Sequence, residues 1–306
     1  MRNSLFHAKK SQRAKEFFYI LNFATLNLLM DRRKFISTTV KAISIVCAGQ
    51  TLMANPRTFR MPASDKVRLR FAVASDGHYG QPNTDFDQFH LDVVNWLNEE
   101  NKTRGLAFTV FNGDVIHDDP TLLSGVKEKF DRLDVPYHVS RGNHDRVTAD
   151  EWQGTWGNPL DHSFTVDDVA CLVLDTSNQK GDYLCPDPDL TGSLFKSHSA
   201  AAGMFVFMHI TPRNWTENGV QCSRLTKTFA RQKNLRAIFH GHDHDQDNMK
   251  VFRGKPYFFG GHFGGNWGVA YRGYRIVEVL NDDTVVSYQM NADSRQQVNS
   301  FRSNHS

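Results

Sequence analysis

The sequence has few cysteines and no long apolar run, and both shortages narrow the class of protein. Only four of the 306 residues are cysteine, and no pair of them has the spacing of a zinc ribbon. The most apolar stretch near the N-terminus, residues 17–30, is interrupted by two asparagines and is shorter than the roughly 20 apolar residues that a membrane span requires. We therefore expect neither a zinc-ribbon protein nor a stable membrane anchor.

The sequence also lacks a basic stripe in its main body. The formal net charge is +3, but residues 1–54 carry nine Lys and Arg against two acidic residues, so the rest of the chain has a net charge of −4. Proteins that bind DNA or RNA need clustered positive charge to neutralise backbone phosphates. The charge distribution therefore argues against a nucleic-acid substrate and against a nuclease.

The N-terminal residues 1–54 have the features of a targeting segment. Arg32 and Arg33 are followed by Phe35 and by a modestly apolar run, a pattern typical of bacterial twin-arginine export signals. This predicts an exported, periplasmic protein that meets the twin-arginine export machinery. The alternative is a chance pair of arginines in a basic tail.

Residues 1–29 lie upstream of this signal, which is unusual because export signals rarely begin so far from the start of a chain. Met30 stands directly before the arginine motif. We interpret Met30 as the true start and residues 1–29 as a mis-assigned extension.

Two of the cysteines, Cys185 and Cys222, lie in polar segments beyond the leader. A disulfide between them would be possible after export. Because spacing does not determine pairing, unpaired thiols are an equal alternative.

The residues after the leader alternate between strand-like and helix-like patterns, which predicts an α/β domain over residues 66–292. Apolar runs at 69–75, 106–111 and 135–139 indicate buried strands, and apolar positions at helical spacing lie between them. The last runs, at 257–259, 269–279 and 284–290, have no helices between them and predict a closing antiparallel sheet. The polar residues 293–306 are expected to form a frayed tail.

Side chains that bind metals directly follow the predicted strands. Loops at the carboxyl ends of strands are where open α/β sheets place ligand sites, so these clusters should converge on one edge. Imidazoles and carboxylates together suit a pair of divalent ions such as Mn, Fe or Zn. Neighbouring Gly113, Gly142 and Gly241 are expected to permit tight turns with positive φ. The candidate ligands are Asp76, His78, Asp114, Asn143, His209, His242 and His244.

The order of these motifs resembles the calcineurin-like metallophosphoesterases. Asp-x-His, Gly-Asp, Gly-Asn-His-Asp, a single His and Gly-His-x-His follow one another between Asp76 and His244. The resemblance implies two packed mixed β-sheets flanked by helices, in a four-layer α-β-β-α sandwich. It also implies hydrolysis of small phosphate mono- or diesters by in-line attack of a hydroxide that bridges two metal ions.

The resemblance assigns a role to each candidate. It places Asp76, His78 and His244 on the first metal and Asn143, His209 and His242 on the second, with Asp114 bridging both. It also makes His144 either the acid that protonates the leaving group or a hydrogen-bond donor to the transition state, with Asp145 orienting it.

Other residues near the motifs have weaker assignments. His117 and His240 would orient ligands, Arg141 and Arg213 would pair with phosphate oxygens, and His262 would line the pocket. Each of these residues could instead be structural or solvated. The loop carboxylate of Asp118 could also orient a ligand, although carboxylates in loops are usually solvated. The choice between monoester and diester stays open.

One alternative from a different class is a noncatalytic binding module that keeps the fold as a scaffold. Such a protein should have lost ligands or the acid. All seven ligands and His144 are present, so the sequence favours an enzyme.

Overall fold

The structure is a computed structural model that describes residues 44–47, 50–53 and 66–303. The described residues fall into two units, one before residue 62 and one after it. In the first unit, β1 (Ser44–Cys47) and β2 (Gln50–Met53) pair in an antiparallel hairpin. The predicted arginine motif and the proposed start at Met30 lie outside the described residues. Within the described part of the chain, no helix has the length and apolarity that crossing a membrane demands.

Twelve strands of the second unit form two six-stranded sheets. In chain order these strands are β3 (Val67–Ala74), β4 (Phe108–Asn112), β5 (Tyr137–Ser140), β6 (His162–Val166), β7 (Val169–Val173), β8 (Gly203–Phe207), β9 (Leu235–His240), β10 (Met249–Phe252), β11 (Lys255–Phe259), β12 (Gly273–Leu280), β13 (Val285–Asn291) and β14 (Gln296–Arg302). The first sheet has the order β14-β13-β12-β3-β4-β5 and the second the order β10-β11-β9-β8-β7-β6. Both are mixed, because β3–β4–β5 and β7–β8–β9–β11 are parallel while the remaining pairs are antiparallel.

The sheets pack face to face through aromatic side chains. Phe71 on β3 meets Phe205, Phe207 and Phe239 of the other sheet edge-on, with ring centroids 5.1 to 6.0 Å apart. Edge-to-face contacts of this kind are favourable because the positive ring edge meets the negative face. β3 is buried on both sides over its last six residues, as expected for a strand with another layer on each face.

Helices cover the outer faces and complete four layers. They are α1 (Phe86–Arg104), α2 (Leu123–Phe130), α3 (Ala149–Trp156), α4 (Pro188–Ser197) and α5 (Ser223–Arg231), and a 3₁₀ turn (Pro120–Leu122) precedes α2. On the first sheet, Phe130 of α2 stacks on Phe111 of β4. On the second sheet, Phe195 of α4 and Phe229 of α5 join Val206 of β8 in one apolar cluster. The predicted α-β-β-α sandwich is confirmed.

The prediction of a frayed C-terminal tail is wrong for residues 296–302, which form β14. This strand pairs antiparallel with β13 from Gln296 to Arg302, with a bulge that leaves Val298 unpaired in the register. Its pattern is hard to recognise because an edge strand needs few apolar residues: Phe301 packs on Phe258, whereas Val298 is exposed.

Of the two alternatives for the cysteines, the structure contains the disulfide. Cys185 and Cys222 are bonded across 37 residues of chain. The bond ties the loop after β7 to the residue that precedes α5. Cys171 on β7 is a buried free thiol.

Candidate active site

The predicted metal ligands lie in loops at one edge of the sandwich. Each ligand follows the end of its strand by two to four residues, and β3, β4, β5, β8 and β9 all run toward this edge. The loops of the two sheets are hydrogen bonded to one another. The amide of His242 donates to both carboxylate oxygens of Asp76 at 3.0 Å, and Nδ1 of His209 lies 2.8 Å from the carbonyl of Asn112. These bonds join the second sheet's ligands to the first sheet's loops.

Asp76, His78 and His244 form the first of two triads. Their ligand atoms all lie within 4.8 Å of one another. His244 Nε2 is 3.1 Å from Asp76 Oδ1 and 2.9 Å from His78 Nε2. The sequence assigned the same three residues to one metal.

Asp114, His209 and His242 form the second triad, again within 4.8 Å. Asp114 Oδ2 is 3.1 Å from His209 Nε2 and 3.7 Å from Nε2 of His78, a member of the first triad. Asp114 therefore lies where the two triads meet, as a bridging ligand must.

The donor atoms of this centre fit a pair of metal ions. The buried Oδ1 of Asn143 and Nε2 of His242 have no hydrogen-bond partner among the described residues. Buried polar atoms without a partner are costly, and a metal ion would satisfy both. Nδ1 of His209 and of His244 lie 2.8 and 3.2 Å from the carbonyls of Asn112 and Trp267, which leaves Nε2 of each facing the centre.

The buried carboxylates of the centre, Asp76 and Asp114, are stabilised by nearby positive charge. Burial would raise the pKa of Asp76, but the neighbouring His244 and His209 lower it to about 2. Burial would lower the pKa of His209, but Asp114 and Asp76 raise it to about 10. In the chain alone, the two buried carboxylates therefore favour the protonated form of His209. A metal ion that replaces this proton would meet the same demand for charge.

Four of the ligands have a left-handed backbone. The φ angles are 60° at Asp76, 49° at His78, 51° at Asp114 and 68° at His242. Non-glycine residues rarely adopt this region, and such strain concentrates at functional sites. The unusual turns aim short side chains into one small space.

The glycines act differently from the prediction in two of three cases. Gly113 has the expected positive φ of 86°. Gly142 and Gly241 do not, and they are needed for close approach instead: a Cβ at these positions would overlap the carboxylate of Asp114 and the side chain of Ser75. The loops carrying the ligands are packed too closely for any side chain there.

His144 lies beside the first triad and is partly exposed. Its ring is 5.0 Å from that of His78, and its Nδ1 is 3.0 Å from Asp118 Oδ1, which also pairs with Arg146. From the sequence, Asp118 could either orient a neighbouring side chain or be solvated. In the structure its carboxylate lies within hydrogen-bond distance of His144 and is placed to orient that ring.

Asp145, predicted to orient His144, has a different position. Its carboxylate accepts hydrogen bonds from the backbone amides of Ile116 at 3.0 Å and Gly142 at 2.6 Å. Burial, reinforced by the charge of Asp114, raises the pKa of Asp145 to about 7. Asp145 holds the two ligand loops together and does not contact the His144 ring in the described structure.

His117 contacts the ring nitrogen of His78 that does not face the two triads. Its Nδ1 is 3.1 Å from Nδ1 of His78, and its ring stacks on that of His144 at 4.9 Å. A hydrogen bond to the outer nitrogen of a ligating histidine sets its tautomer and orientation. The geometry agrees with the predicted orienting role.

This contact leads to a prediction for metal affinity. Replacing His117 by alanine removes the partner of His78 and is expected to weaken metal binding by about 10- to 100-fold. Titration of the chelator-treated protein with Zn²⁺ or Mn²⁺ measures the change. His198→Ala is the matched control. His198 is also partly exposed, but its partner is Ser163 on β6, a strand that carries no candidate ligand. Equal affinities in the two variants would remove His117 from the site.

The predicted phosphate contact of Arg141 is contradicted by the structure. Arg141 is buried, and all three of its guanidinium nitrogens are hydrogen bonded, to the carboxylate of Asp175 and the carbonyls of Val147 and Ser177. It has no free edge for a phosphate and instead fixes the loop that follows β5. Arg213 lies over the ring of Phe252 at 3.8 Å, and its phosphate contact stays a prediction.

His240 and His262 are both buried near the ligands. Nδ1 of His240 is 3.1 Å from the carbonyl of Met208, the residue before ligand His209. The ring of His262 stacks at 5.2 Å on that of His244. His262 also lines a cavity together with Gly265 and Trp267. Its place in the substrate pocket stays a prediction.

Comparison with known proteins agrees with this geometry. The sequence model of the family described as calcineurin-like phosphoesterase matches residues 69–246. No curated protein matches the sequence.

Two solved structures share the fold. A dimetal phosphatase from Danio rerio superposes with a TM-score of 0.61 at 12% identity, covering 78% of this chain and 99% of its own. A purple acid phosphatase from yellow lupin (Lupinus luteus) seeds has a TM-score of 0.61 at 10% identity, covering 76% of this chain and 53% of its own, so this chain spans about half of that protein. Since the family model covers more than half of the sequence, the chain belongs to the calcineurin-like phosphoesterase family.

Proposed function

We propose that this protein is a phosphoesterase that binds two divalent metal ions and hydrolyses small phosphate mono- or diesters. The observation that carries the proposal is the position of Asp114, which lies where two buried His/Asp triads meet. Family membership supports the reaction class. The net charge of −4 beyond residue 54 supports a small substrate over a nucleic acid.

The residues divide between two ions of the Mn, Fe or Zn type. One ion would be held by Asp76, His78 and His244, and the other by Asn143, His209 and His242, with Asp114 shared. Two bound ions supply Lewis acidity and neutralise the charge that develops on the phosphoryl oxygens.

His144 is suited to assist departure of the leaving group. Asp118 accepts from its Nδ1 at 3.0 Å, so Nε2 is the nitrogen that can hand a proton to the ester oxygen as the P–O bond breaks. The His144 side chain retains 31% of its exposure, whereas the ligands of both triads are buried. His144 therefore stands at the open side of the site, where a leaving group must depart.

We further propose that the protein is exported through the twin-arginine route to the periplasm. The disulfide between Cys185 and Cys222 supports an oxidising compartment, where such bonds persist. Replacing Arg32 and Arg33 together by lysine is expected to retain the protein in the cytoplasm. Fractionation of cells that express the full chain measures this, and undiminished export of the double variant would contradict the proposal.

The function is tested by removing and restoring the metal. Chelation of the full chain is expected to abolish hydrolysis of chromogenic phosphate mono- and diesters, and reloading with Mn²⁺, Fe²⁺ or Zn²⁺ to restore it at two ions per chain. Elemental analysis of each sample gives the metal content, and the relative rates rank monoester against diester. A protein that holds two ions but hydrolyses neither ester class would instead support the noncatalytic scaffold.

A further inference from the structure

Two large aromatic side chains are exposed at the metal centre. Of the six exposed large apolar residues in the described part of the chain, Tyr183 and Trp267 are the aromatic ones, with 40% and 47% exposure. Each touches a ligand imidazole: Tyr183 meets His242 edge-on at 4.8 Å, and Trp267 meets His244 at 4.1 Å. Exposed aromatic surface beside a reaction centre is a common sign of ligand recognition.

Trp267 has the geometry of a stacking platform. Its ring is parallel to the His244 imidazole within 4°, and its backbone carbonyl lies 3.2 Å from His244 Nδ1. The imidazole covers only one face of the indole. The remaining exposure of Trp267 therefore leaves aromatic surface for another flat group.

The loop that carries Trp267 is held closely against the metal centre. Side chains at Gly265 and Gly268 would run into His244, and a Cβ at Gly264 would overlap the backbone of Gly77. Gly265 and Gly268 also have positive φ, of 71° and 114°. The indole is thus fixed beside a ligand by a backbone that tolerates little change, which a chance surface tryptophan would not require.

A cavity of about 430 Å³ adjoins this loop and is lined by Trp267 together with Asn266, Tyr271 and Arg272. Cavities of about 300 to 1,000 Å³ are typical of small-molecule sites. The lining combines the aromatic face of Trp267 with the side-chain amide of Asn266, whereas the guanidinium of Arg272 is already paired with Asp92 and Asp293. An aromatic face and an amide can bind the face and the polar edge of a ring compound.

We propose that the leaving group of the natural substrate carries a flat aromatic ring, which stacks on Trp267 while the phosphate lies at the two triads. The ring is a nucleobase or an aryl group, which share this stacking chemistry. The inference rests on the proposed phosphoesterase function and specifies its substrate. Stacking is tolerant of ring identity, because every aromatic ring presents a π-face.

The test compares two esters that differ only in the aromaticity of a remote ring. 2-Phenylethyl phosphate and 2-cyclohexylethyl phosphate both carry a six-membered carbon ring on the same leaving-group chain. The cyclohexyl ring is the more hydrophobic of the two, but only the phenyl ring can stack, so a preference for the phenyl ester reports stacking. The metal-loaded full chain is expected to have a kcat/KM about two- to tenfold higher for the phenyl ester. Trp267→Leu, which keeps apolar bulk without the π-face, should bring the ratio close to one, and Trp267→Phe should retain the preference.

Two further measurements separate a stacking role from a structural one. The dissociation constants of the matched non-hydrolysable phosphonates, measured by calorimetry, should show the same preference and the same loss in Trp267→Leu. Val251→Ala is the control, because Val251 is 59% exposed on β10, outside the site, and should leave the ratio unchanged. A change in His244 caused by the loss of Trp267 would alter kcat/KM for both esters equally, so it cancels in the ratio of the phenyl to the cyclohexyl ester. The metal content of each variant is measured alongside.

Whether the ring belongs to a nucleoside or to an aryl ester is tested by comparing hydrolysis of adenosine 5′-phosphate with that of ribose 5-phosphate. A preference for the nucleotide that exceeds the phenyl preference identifies a nucleoside, and the reverse identifies an aryl ester. Equal efficiency for phenyl and cyclohexyl esters in the unaltered protein overturns the ring inference and leaves the phosphoesterase proposal standing. Metal-loaded protein that hydrolyses none of these esters overturns both.

Discussion

Asp114→Asn is expected to lower kcat/KM for phosphate ester hydrolysis by at least about a thousandfold, because it removes the carboxylate that both triads share. Oδ2 of Asp114 lies 3.1 Å from His209 Nε2 and 3.7 Å from His78 Nε2. An amide at this position is neutral and cannot offset the charge of two ions. The variant should bind fewer than two ions per chain by elemental analysis.

The fold should survive this change, so that the loss can be assigned to the site. Asn retains the oxygen that accepts from the His144 amide at 2.8 Å, and it tolerates the left-handed φ of 51°. Asp167→Asn is the matched control, since exposed Asp167 has the same φ of 51° in the turn between β6 and β7. Full activity with two ions in Asp114→Asn would show that the shared carboxylate is not required.

The second large effect is expected for His144→Ala, and its size should depend on the leaving group. For alkyl phosphates, whose leaving oxygen needs a proton, kcat should fall by about 10²- to 10⁴-fold. For 4-nitrophenyl esters the loss should be much smaller, because this leaving group departs as a stable anion. Metal content should stay at two ions per chain, because the His144 side chain is not among the proposed ligands.

Comparing the two ester types distinguishes an acid from a residue that only supports the site. His198→Ala should affect neither ester, whereas Asp118→Asn should reproduce the pattern of His144→Ala with a smaller loss, since Asp118 only orients the ring. An equal loss for alkyl and nitrophenyl esters in His144→Ala would contradict proton donation.

The fold was predictable because its signals are local. Alternating strands and helices over the first half and consecutive strands at the end indicate an α/β domain with a closing antiparallel sheet, and metal-binding residues mark where the strands end. The arrangement in two packed mixed sheets was implied by the family resemblance. Asp76 and Asp114 each follow a buried strand by two residues. Parallel strands bring such positions to one edge whatever the details of the loops.

The contacts around the ligands were less predictable because they depend on loop conformation. Asp118 lies four residues after Asp114 and reaches His144 through a left-handed backbone with φ of 62°. Asp145, adjacent in sequence to His144, points to backbone amides instead. Adjacency in sequence is therefore a poor guide to which carboxylate orients a histidine.

The charge of Arg141 was likewise not enough to predict which group it contacts. Arg141 follows a strand beside a ligand motif, which suggests a phosphate contact, yet it is buried against Asp175. The partner is 34 residues away in the chain. Only the packing of the second sheet's loop against the first determines this pairing.

The left-handed backbone of four ligands has a consequence for the evolution of the protein. Each such residue costs on the order of 1 kcal/mol or more, and glycine would adopt the same conformation without that cost. A lineage released from selection for catalysis would therefore gain stability from ligand-to-glycine mutations at Asp76, His78, Asp114 or His242. In such a lineage we expect the site to decay first at these four positions.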